Sequence, residues 1–176
     1  MSGNFTLTPF SKAYLSLGSN IDADANLRSA VAALRARFGE IVLSAFYRTP
    51  AVGFDGGEFL NAAAIIDSDL DPHALNAWLH ALEDAHGRDR SGPRYGDRPL
   101  DIDIVFYDDL ILEGPGHLQI PRDELQHAFV LKPLAEITPE HVDPRSGRTL
   151  AQLWQAHDDY GDTRWAQLGD SIDIPV

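Results

Sequence analysis

Apolar and polar residues follow two different periods along the chain, and the order of these periods predicts the elements of the fold. Short alternating or β-rich runs predict four strands, at residues 13–17, 41–47, 59–67 and 100–107. Apolar residues spaced three and four apart predict two amphipathic helices, at residues 26–38 and from Asp71 to Gly87. This order is that of a ferredoxin-like βαββαβ sandwich. We therefore expect an α/β (α+β) fold with an antiparallel sheet, helices on one face and the other face open for a site.

Shorter elements follow the sandwich. A small hairpin is predicted around Gly114-Pro115-Gly116, and the apolar run 129–137 is expected to pack as core. A last helix is predicted at residues 149–157. We expect a loose leader at residues 1–11, a single domain at residues 12–157 and an acidic peripheral tail at residues 158–176.

Residues 87–107 join an arginine-rich loop to a strand that carries two aspartates. The loop, residues 87–99, contains three Gly, two Pro and four arginines, Arg88, Arg90, Arg94 and Arg98. Alternation along the strand places one set of side chains on a single face: Asp101, Asp103, Val105 and Tyr107. The opposite face receives Leu100, Ile102, Ile104 and Phe106.

The two aspartates have two interpretations. Carboxylate oxygens at this spacing can hold magnesium, and arginines match phosphate oxygens, so the stretch can form a polyphosphate site. Alternatively, Asp101 and Asp103 face water on a half-exposed strand, with the arginines as solvated counterions. Two like charges on one strand face repel unless something neutralises them. The stretch by itself leaves both interpretations open.

The composition narrows the possible functions. A chain of 176 residues with 44% hydrophobic residues is large enough for one domain with its own core. The absence of cysteine excludes disulfides, thiolate metal sites and a cysteine nucleophile. A net charge of −13 argues against a nucleic-acid binder and makes the arginine-rich loop more informative. No signal peptide or membrane-length apolar run is found, so we expect a cytoplasmic protein.

Two glycine-containing segments and one buried asparagine could also belong to a site. Gly18-Ser19-Asn20 precedes a helix, but the glycine pattern of a phosphate loop is missing, which favours a structural turn. Residues 51–58 form a glycine-rich loop that can move or close. Asn61 lies in a predicted buried strand, so its amide must bond either to neighbouring backbone or to a ligand.

A series of short segments also matches a known family in order and register. The chain resembles the 6-hydroxymethyl-7,8-dihydropterin pyrophosphokinase family over about residues 12–155. The matching segments are Leu-Gly-Ser-Asn at 17–20, Phe-Tyr-Arg-Thr-Pro at 46–50, Phe-Leu-Asn-Ala at 59–62, Glu83, Gly-Arg-x-Arg at 87–90, Arg-x-Leu-Asp-Ile-Asp-Ile at 98–104 and Pro-Leu-Ala-Glu-Ile at 133–137.

The resemblance implies transfer of the β,γ-diphosphate of ATP to the pterin's hydroxymethyl oxygen, with release of AMP. It implies two Mg²⁺ ions on Asp101 and Asp103, and phosphate contacts from Arg88 and Arg98. The other residues that it assigns to ATP are Glu83, Arg90, Tyr95, Arg122 and His127. The residues that it assigns to the pterin are Thr49, Val52, Phe59, Asn61 and Phe129, with the two phenylalanines stacked on the ring. The loops 51–58 and 87–99 would close over the substrates and exclude water.

The chain departs from the family pattern around the phosphates. Asp97 adds a negative charge, Arg122 stands where the family usually has histidine, and His127 falls nearest a usual arginine. We expect Arg122 and His127 to have exchanged roles. The partners would be small molecules, without nucleic acid or membrane, and the protein a monomer or a dimer. Two alternatives are a regulatory paralogue that binds pterin with weak or altered nucleotide use, and a binder of single-stranded nucleic acid.

Overall fold

A computed structural model describes residues 10–49, 59–87, 99–114 and 118–161, with Thr49 described by its backbone alone. The strands are β1 Ser11–Ser19, β2 Val42–Leu43, β3 Tyr47–Thr49, β4 Phe59–Ser68, β5 Asp101–Tyr107, β6 Leu112–Glu113 and β7 Gln119–Ile120. The helices are α1 Ala23–Phe38, α2 Pro72–Ala85, α3 Ala128–Ile137 and α4 Leu150–Gln155, with a 3₁₀ turn at Asp123–Gln126. None of the described helices has the length and apolar character that a membrane crossing requires.

The main sheet confirms the predicted ferredoxin-like fold. Its order is β2-β4-β1-β5, with β3 also paired to β4, and every pairing is antiparallel. The predicted hairpin is confirmed as the β6–β7 pair. The strand predicted at 41–47 is wrong in extent, because it forms two short segments separated at residues 44–46. There the Ser44 hydroxyl accepts the Ala63 N–H at 2.8 Å, so a side chain replaces a backbone carbonyl in the ladder.

The first core lies between the sheet and the helices α1 and α2. Leu27, Val31 and Leu34 of α1 are fully buried, as are Leu75 and Leu79 of α2. They pack against strand residues of the same face. Each such side chain stabilises the fold by about 1.5–3 kcal/mol through burial. The residues of α1 and α2 that face the core are therefore those that the helical periodicity predicts.

The second face of the sheet is covered in part by α3 and α4, which corrects the expectation that helices occupy one face only. A separate cluster joins Val130, Leu131 and Leu134 of α3 to Tyr14 and Ile65 of the sheet. The run 129–137 is apolar enough to form a core, but sequence periodicity does not indicate which sheet face it covers.

A β-bulge at Val105 changes which way the end of β5 points. Tyr14 pairs with Phe106, but Leu15 pairs with Ile104, so Val105 is an extra residue in the ladder. Phe106 consequently faces Tyr14, with ring centroids 5.9 Å apart, and Tyr107 packs with the first core. The predicted faces of Phe106 and Tyr107 are therefore wrong. The aspartates precede the bulge and keep their predicted common face.

His141 packs against the aromatic part of the second core. Its ring centroid lies 4.2 Å from that of Tyr14 and 4.6 Å from that of Phe106. The buried Nε2 atom makes no hydrogen bond to any residue that the structure describes. Burial lowers the pKa of His141, and the carboxylates of Asp143, Asp108 and Asp109 oppose that shift. The folded protein thus favours the neutral ring.

We predict that His141 destabilises the protein in acid. Because its folded-state pKa is lowered, stability is lost as pH falls below the ordinary histidine value of 6.5. His141→Phe cannot titrate, so its melting temperature should fall less than that of the wild type between pH 7.5 and 5. A difference of about 1 kcal/mol corresponds to roughly 2–4 °C. The control is His73→Phe at an exposed position. Parallel pH profiles for wild type and His141→Phe would contradict the assignment.

Candidate active site

A polar row crosses one end of the sheet on the second face. Strand pairing aligns Asn61 of β4 with Gly18 of β1, and Gly18 with Asp101 of β5. Tyr47 of β3 continues the row beside Asn61. Directly paired residues of antiparallel strands point to the same face, so these positions line one surface.

Gly18 is a site position that sequence reasoning missed, because the pattern of residues 18–20 favours a structural turn. The glycine lies inside β1, and a β-carbon there would be 3.0 Å from Asn61 Oδ1 and 3.8 Å from Phe59 Cδ1. A larger residue would therefore press on the Asn61 amide. The signal was available in the Leu-Gly-Ser-Asn segment, but its meaning depends on the register with β4.

Glu83 reaches the same region from the other layer of the fold. It lies in the last turns of α2, is 2% exposed, and its Oε2 accepts the Ile102 N–H at 2.8 Å. Among the strands that the structure describes, β5 pairs in the main sheet only with β1, so this N–H points away from the ladder. A buried N–H without a partner would be destabilising by about 1–3 kcal/mol. The bond therefore fixes the Glu83 carboxylate at the outer edge of β5.

Glu83, Asp101 and Asp103 form a carboxylate cluster. Ligand oxygens of the three residues lie within 4.8 Å of one another. Burial raises the pKa of Asp103, the charge of Asp101 raises it further, and Arg122 partly opposes these effects. Ionised carboxylates this close are unfavourable without a proton or a cation, and hard oxygen donors suit a divalent cation such as Mg²⁺. The donor set and its excess negative charge fit such an ion.

Arg122 approaches the cluster from the segment after β7. Its Nη1 lies 3.7 Å from Asp103 Oδ1, while Nε lies 3.3 Å from a Glu124 carboxylate oxygen. Its backbone N–H donates to the Val105 carbonyl at 3.2 Å. The bulge residue of β5 therefore anchors the chain that carries this guanidinium.

The N-terminus of α3 carries the remaining described candidates. Phe129 is partly buried and stacks on His127, with ring centroids 5.1 Å apart and an angle of 8° between the planes. Glu136 ties the other end of α3 to the sheet edge: it accepts the Tyr47 hydroxyl and, at 3.0 Å, the Ala45 N–H. α3 thus has a fixed position on the second face.

The structure places part of the predicted site. It groups Glu83, Asp101, Asp103 and Arg122, it sets Phe59 and Asn61 beside Gly18, and it stacks His127 on Phe129. Several predicted positions lie outside the described residues: Val52, Arg88, Arg90, Tyr95, Arg98 and the side chain of Thr49. The loops 51–58 and 88–98 also lie outside them.

Fold and site together define a class: a ferredoxin-like α/β sandwich with a candidate divalent-cation site at the end of its sheet. The family model of 7,8-dihydro-6-hydroxymethylpterin-pyrophosphokinase (HPPK) matches residues 14–139, and the chain belongs to this family.

Similar proteins agree with this family. Several similar proteins carry the name 2-amino-4-hydroxy-6-hydroxymethyldihydropteridine pyrophosphokinase, among them one from Synechocystis sp. and one from Methylorubrum extorquens. The one from Synechocystis sp. is 41% identical over 145 residues, covering 80% of this chain and 73% of the relative. The one from Methylorubrum extorquens is 44% identical over 135 residues, covering 74% of this chain and 85% of the relative.

A solved structure shows the same fold. The wild-type HPPK-DHPS of Plasmodium falciparum matches with a TM-score of 0.67 at 15% identity and covers 93% of this chain. The match covers 43% of that protein, so the present chain spans less than half of its length. At this identity the similarity supports the fold alone.

We predict that ionised Asp103 destabilises the protein without metal. Its raised folded-state pKa means that stability is lost as pH rises above the ordinary aspartate value of 3.8. Asp103→Asn should therefore melt above the wild type at pH 8.5, with a smaller difference at pH 5. Mg²⁺ should raise the wild-type melting temperature more at pH 8.5 than at pH 5, because proton and cation compete.

The matched control for that measurement is Asp67→Asn. Asp67 is 55% exposed, pairs with Lys12, and lies at the opposite end of β4 from Asn61. Asp67→Asn should not gain stability over the wild type at pH 8.5. Mg²⁺ should raise its melting temperature as much as that of the wild type. Equal melting profiles for Asp103→Asn and Asp67→Asn would contradict the charge crowding inferred for the cluster.

Proposed function

We propose that the chain transfers diphosphate from ATP to the hydroxymethyl group of 6-hydroxymethyl-7,8-dihydropterin and releases AMP, a step of folate biosynthesis. The observation that carries this proposal is the carboxylate cluster, in which Glu83, Asp101 and Asp103 come together in a member of the HPPK family.

Asp101 and Asp103 are the proposed ligands of two Mg²⁺ ions. When bound, such ions neutralise the triphosphate and align it for in-line displacement at the β-phosphorus. Glu83 adds negative charge beside both aspartates and keeps β5 in position through the Ile102 N–H. The excess negative charge of the described cluster supports this assignment.

Arginines are the proposed partners of the phosphates. Arg122 is the cation described at the cluster, while Arg88, Arg90, Tyr95 and Arg98 belong to the loop outside the described residues. Arginine presents several N–H donors in one plane and suits phosphate oxygens. His127 stacks on Phe129, whereas Arg122 lies beside Asp103, which favours Arg122 as the main phosphate contact of the two.

The pterin is proposed to bind beside Gly18. Asn61 would read its hydrogen-bonding edge, and Phe59 and Phe129 would stack on its two faces. Thr49 and Val52 would add backbone contacts. Asn61 is 5% exposed, and a β-carbon at position 18 would lie 3.0 Å from its Oδ1, so the glycine preserves the position of the amide, which supports a recognition role. Stacking supplies affinity, and the amide supplies specificity.

In the reaction that we propose, the pterin's hydroxymethyl oxygen forms a bond to the β-phosphorus of ATP. The bond from that phosphorus to the α,β-bridging oxygen breaks, and its electron pair leaves with AMP. The hydroxyl proton is released to solvent. Closure of the loops 51–58 and 87–99 would exclude water as a competing nucleophile.

The decisive measurement is AMP release that requires the hydroxymethylpterin, since a regulatory paralogue would bind the pterin without releasing AMP.

We predict that Asp101→Asn and Asp103→Asn each reduce turnover by several orders of magnitude and leave pterin affinity nearly unchanged. Each substitution removes an anionic ligand of the Mg²⁺ ions that would compensate phosphate charge, and the lost compensation is an effect on the order of 3 kcal/mol or more in a water-poor site. AMP release measures turnover, and calorimetry measures pterin affinity. Asp67→Asn is the matched control. Near-normal turnover in both variants would exclude the metal assignment.

We also predict that Asn61→Ala weakens pterin binding more than Phe59→Leu does. Alanine leaves polar groups of the ligand without partners, at about 1–3 kcal/mol each. Leucine still buries apolar area and forfeits mainly stacking, on the order of 1 kcal/mol. Calorimetry with both variants gives the order, and the reverse order would mean that Asn61 has a structural role.

A further inference from the structure

The guanidinium of Arg122 lies between two carboxylates, that of Asp103 in the cluster and that of Glu124. Glu124, two residues later, faces its guanidinium through two contacts, at 3.3 Å from Nε and 3.4 Å from Nη2. Asp103 of the cluster lies 3.7 Å from Nη1. The Nε atom is buried and makes no hydrogen bond to any described residue, so the ion pairs are not ideal in geometry. The guanidinium is therefore positioned near Asp103 but is not locked onto it.

We propose that Arg122 is an internal counter-cation that competes with the divalent metal for Asp103 and is transferred to the phosphates when nucleotide arrives. Metal and nucleotide would then bind cooperatively, each weakly when alone. This inference rests on the proposed function, because it assigns a regulation to the same metal and phosphate site.

The physical basis is the charge balance at Asp103. A guanidinium 3.7 Å from Asp103 stabilises the ionised carboxylate through its positive charge, and it repels any second cation. A triphosphate supplies negative charge that attracts the guanidinium away from Asp103 and lowers this repulsion. Each ligand thereby raises the affinity for the other, and by linkage the two effects are equal in size.

Glu124 is a positioning residue in this arrangement. Its carboxylate faces Nε and Nη2 of the guanidinium, whereas Asp103 faces Nη1, so Glu124 shares the positive charge and limits how fully Arg122 can neutralise Asp103. The backbone bond from Arg122 to Val105 keeps this segment beside β5. Glu124 therefore acts on nucleotide binding through Arg122.

The test begins with Mn²⁺ alone, titrated by electron paramagnetic resonance into protein without nucleotide. Arg122→Met keeps side-chain length but removes the charge, and it should bind Mn²⁺ roughly ten-fold more tightly than wild type, within the usual range of coupled sites. Arg122→Lys keeps the charge and should stay close to wild type. Arg145→Met removes one positive charge from a surface ion pair with Glu113 and should leave Mn²⁺ affinity unchanged.

The second arm repeats the titration with a saturating ATP analogue whose α,β-bridging oxygen is replaced by methylene. Wild type should bind Mn²⁺ far more tightly with the analogue than without it. In Arg122→Met that ratio should fall roughly ten-fold, while analogue affinity weakens. An increase in metal affinity together with a decrease in nucleotide affinity is not expected from mere loss of folding, which weakens both.

A third arm isolates Glu124. Glu124→Gln should change analogue affinity in the wild-type background and have no effect in the Arg122→Met background, because its action passes through Arg122. Equal effects in both backgrounds would remove the positioning role.

The outcomes separate this inference from the proposed function. If Arg122→Met binds Mn²⁺ alone no more tightly than wild type, while Asp103→Asn loses Mn²⁺ binding, the counter-cation is excluded and the metal site stands. If Asp103→Asn also binds Mn²⁺ as wild type does, the metal assignment itself fails, and the counter-cation fails with it.

Discussion

The outer edge of β5 carries backbone groups that no other described strand of the main sheet reaches, and the residues that bond to these groups form part of the candidate site. The Ile102 N–H is taken by the carboxylate of Glu83, and the Val105 carbonyl is taken by the N–H of Arg122. Asp103 lies between these two positions along the strand. The two bonds that satisfy this edge of the strand therefore place the Glu83 carboxylate and the Arg122 guanidinium beside the aspartates.

This construction explains which parts of the site are predictable from the sequence. Asp101 and Asp103 share a face because strand side chains alternate, and that relation is local. Glu83 lies on a helix that packs on the opposite face, so its arrival at the aspartates depends on helix placement across the whole layer. Gly18 requires the register between β1 and β4, which the sequence pattern of either strand alone does not specify. Relations between residues of one strand are therefore predictable from the sequence. Relations that depend on how distant strands and helices pack are not.

The fold likewise has features that the sequence predicts and features that it does not. Hydrophobic periodicity is sufficient for the order of strands and helices, since each buried face must match its period. It fails where one side chain or one residue interrupts a ladder. Ser44 replaces a backbone acceptor and divides the edge strand, and the extra Val105 reverses the faces of Phe106 and Tyr107. The bulge does not disturb the aspartates, and its carbonyl binds the segment that carries Arg122.

The appended helix α3 joins the second core to the part of the site where we propose that the pterin binds. Its inner residues bury against the sheet, Glu136 bonds to the edge at Tyr47 and Ala45, and its first turn presents Phe129. Lys132 lies 4.9 Å from the centre of the Tyr47 ring, which adds a cation–π contact at the same edge. Because Tyr47 pairs with Asn61, the contacts that hold α3 also border the proposed pterin position. Loosening α3 would therefore move Phe129 relative to Asn61, the residues that we propose to stack on the pterin and to bind its edge.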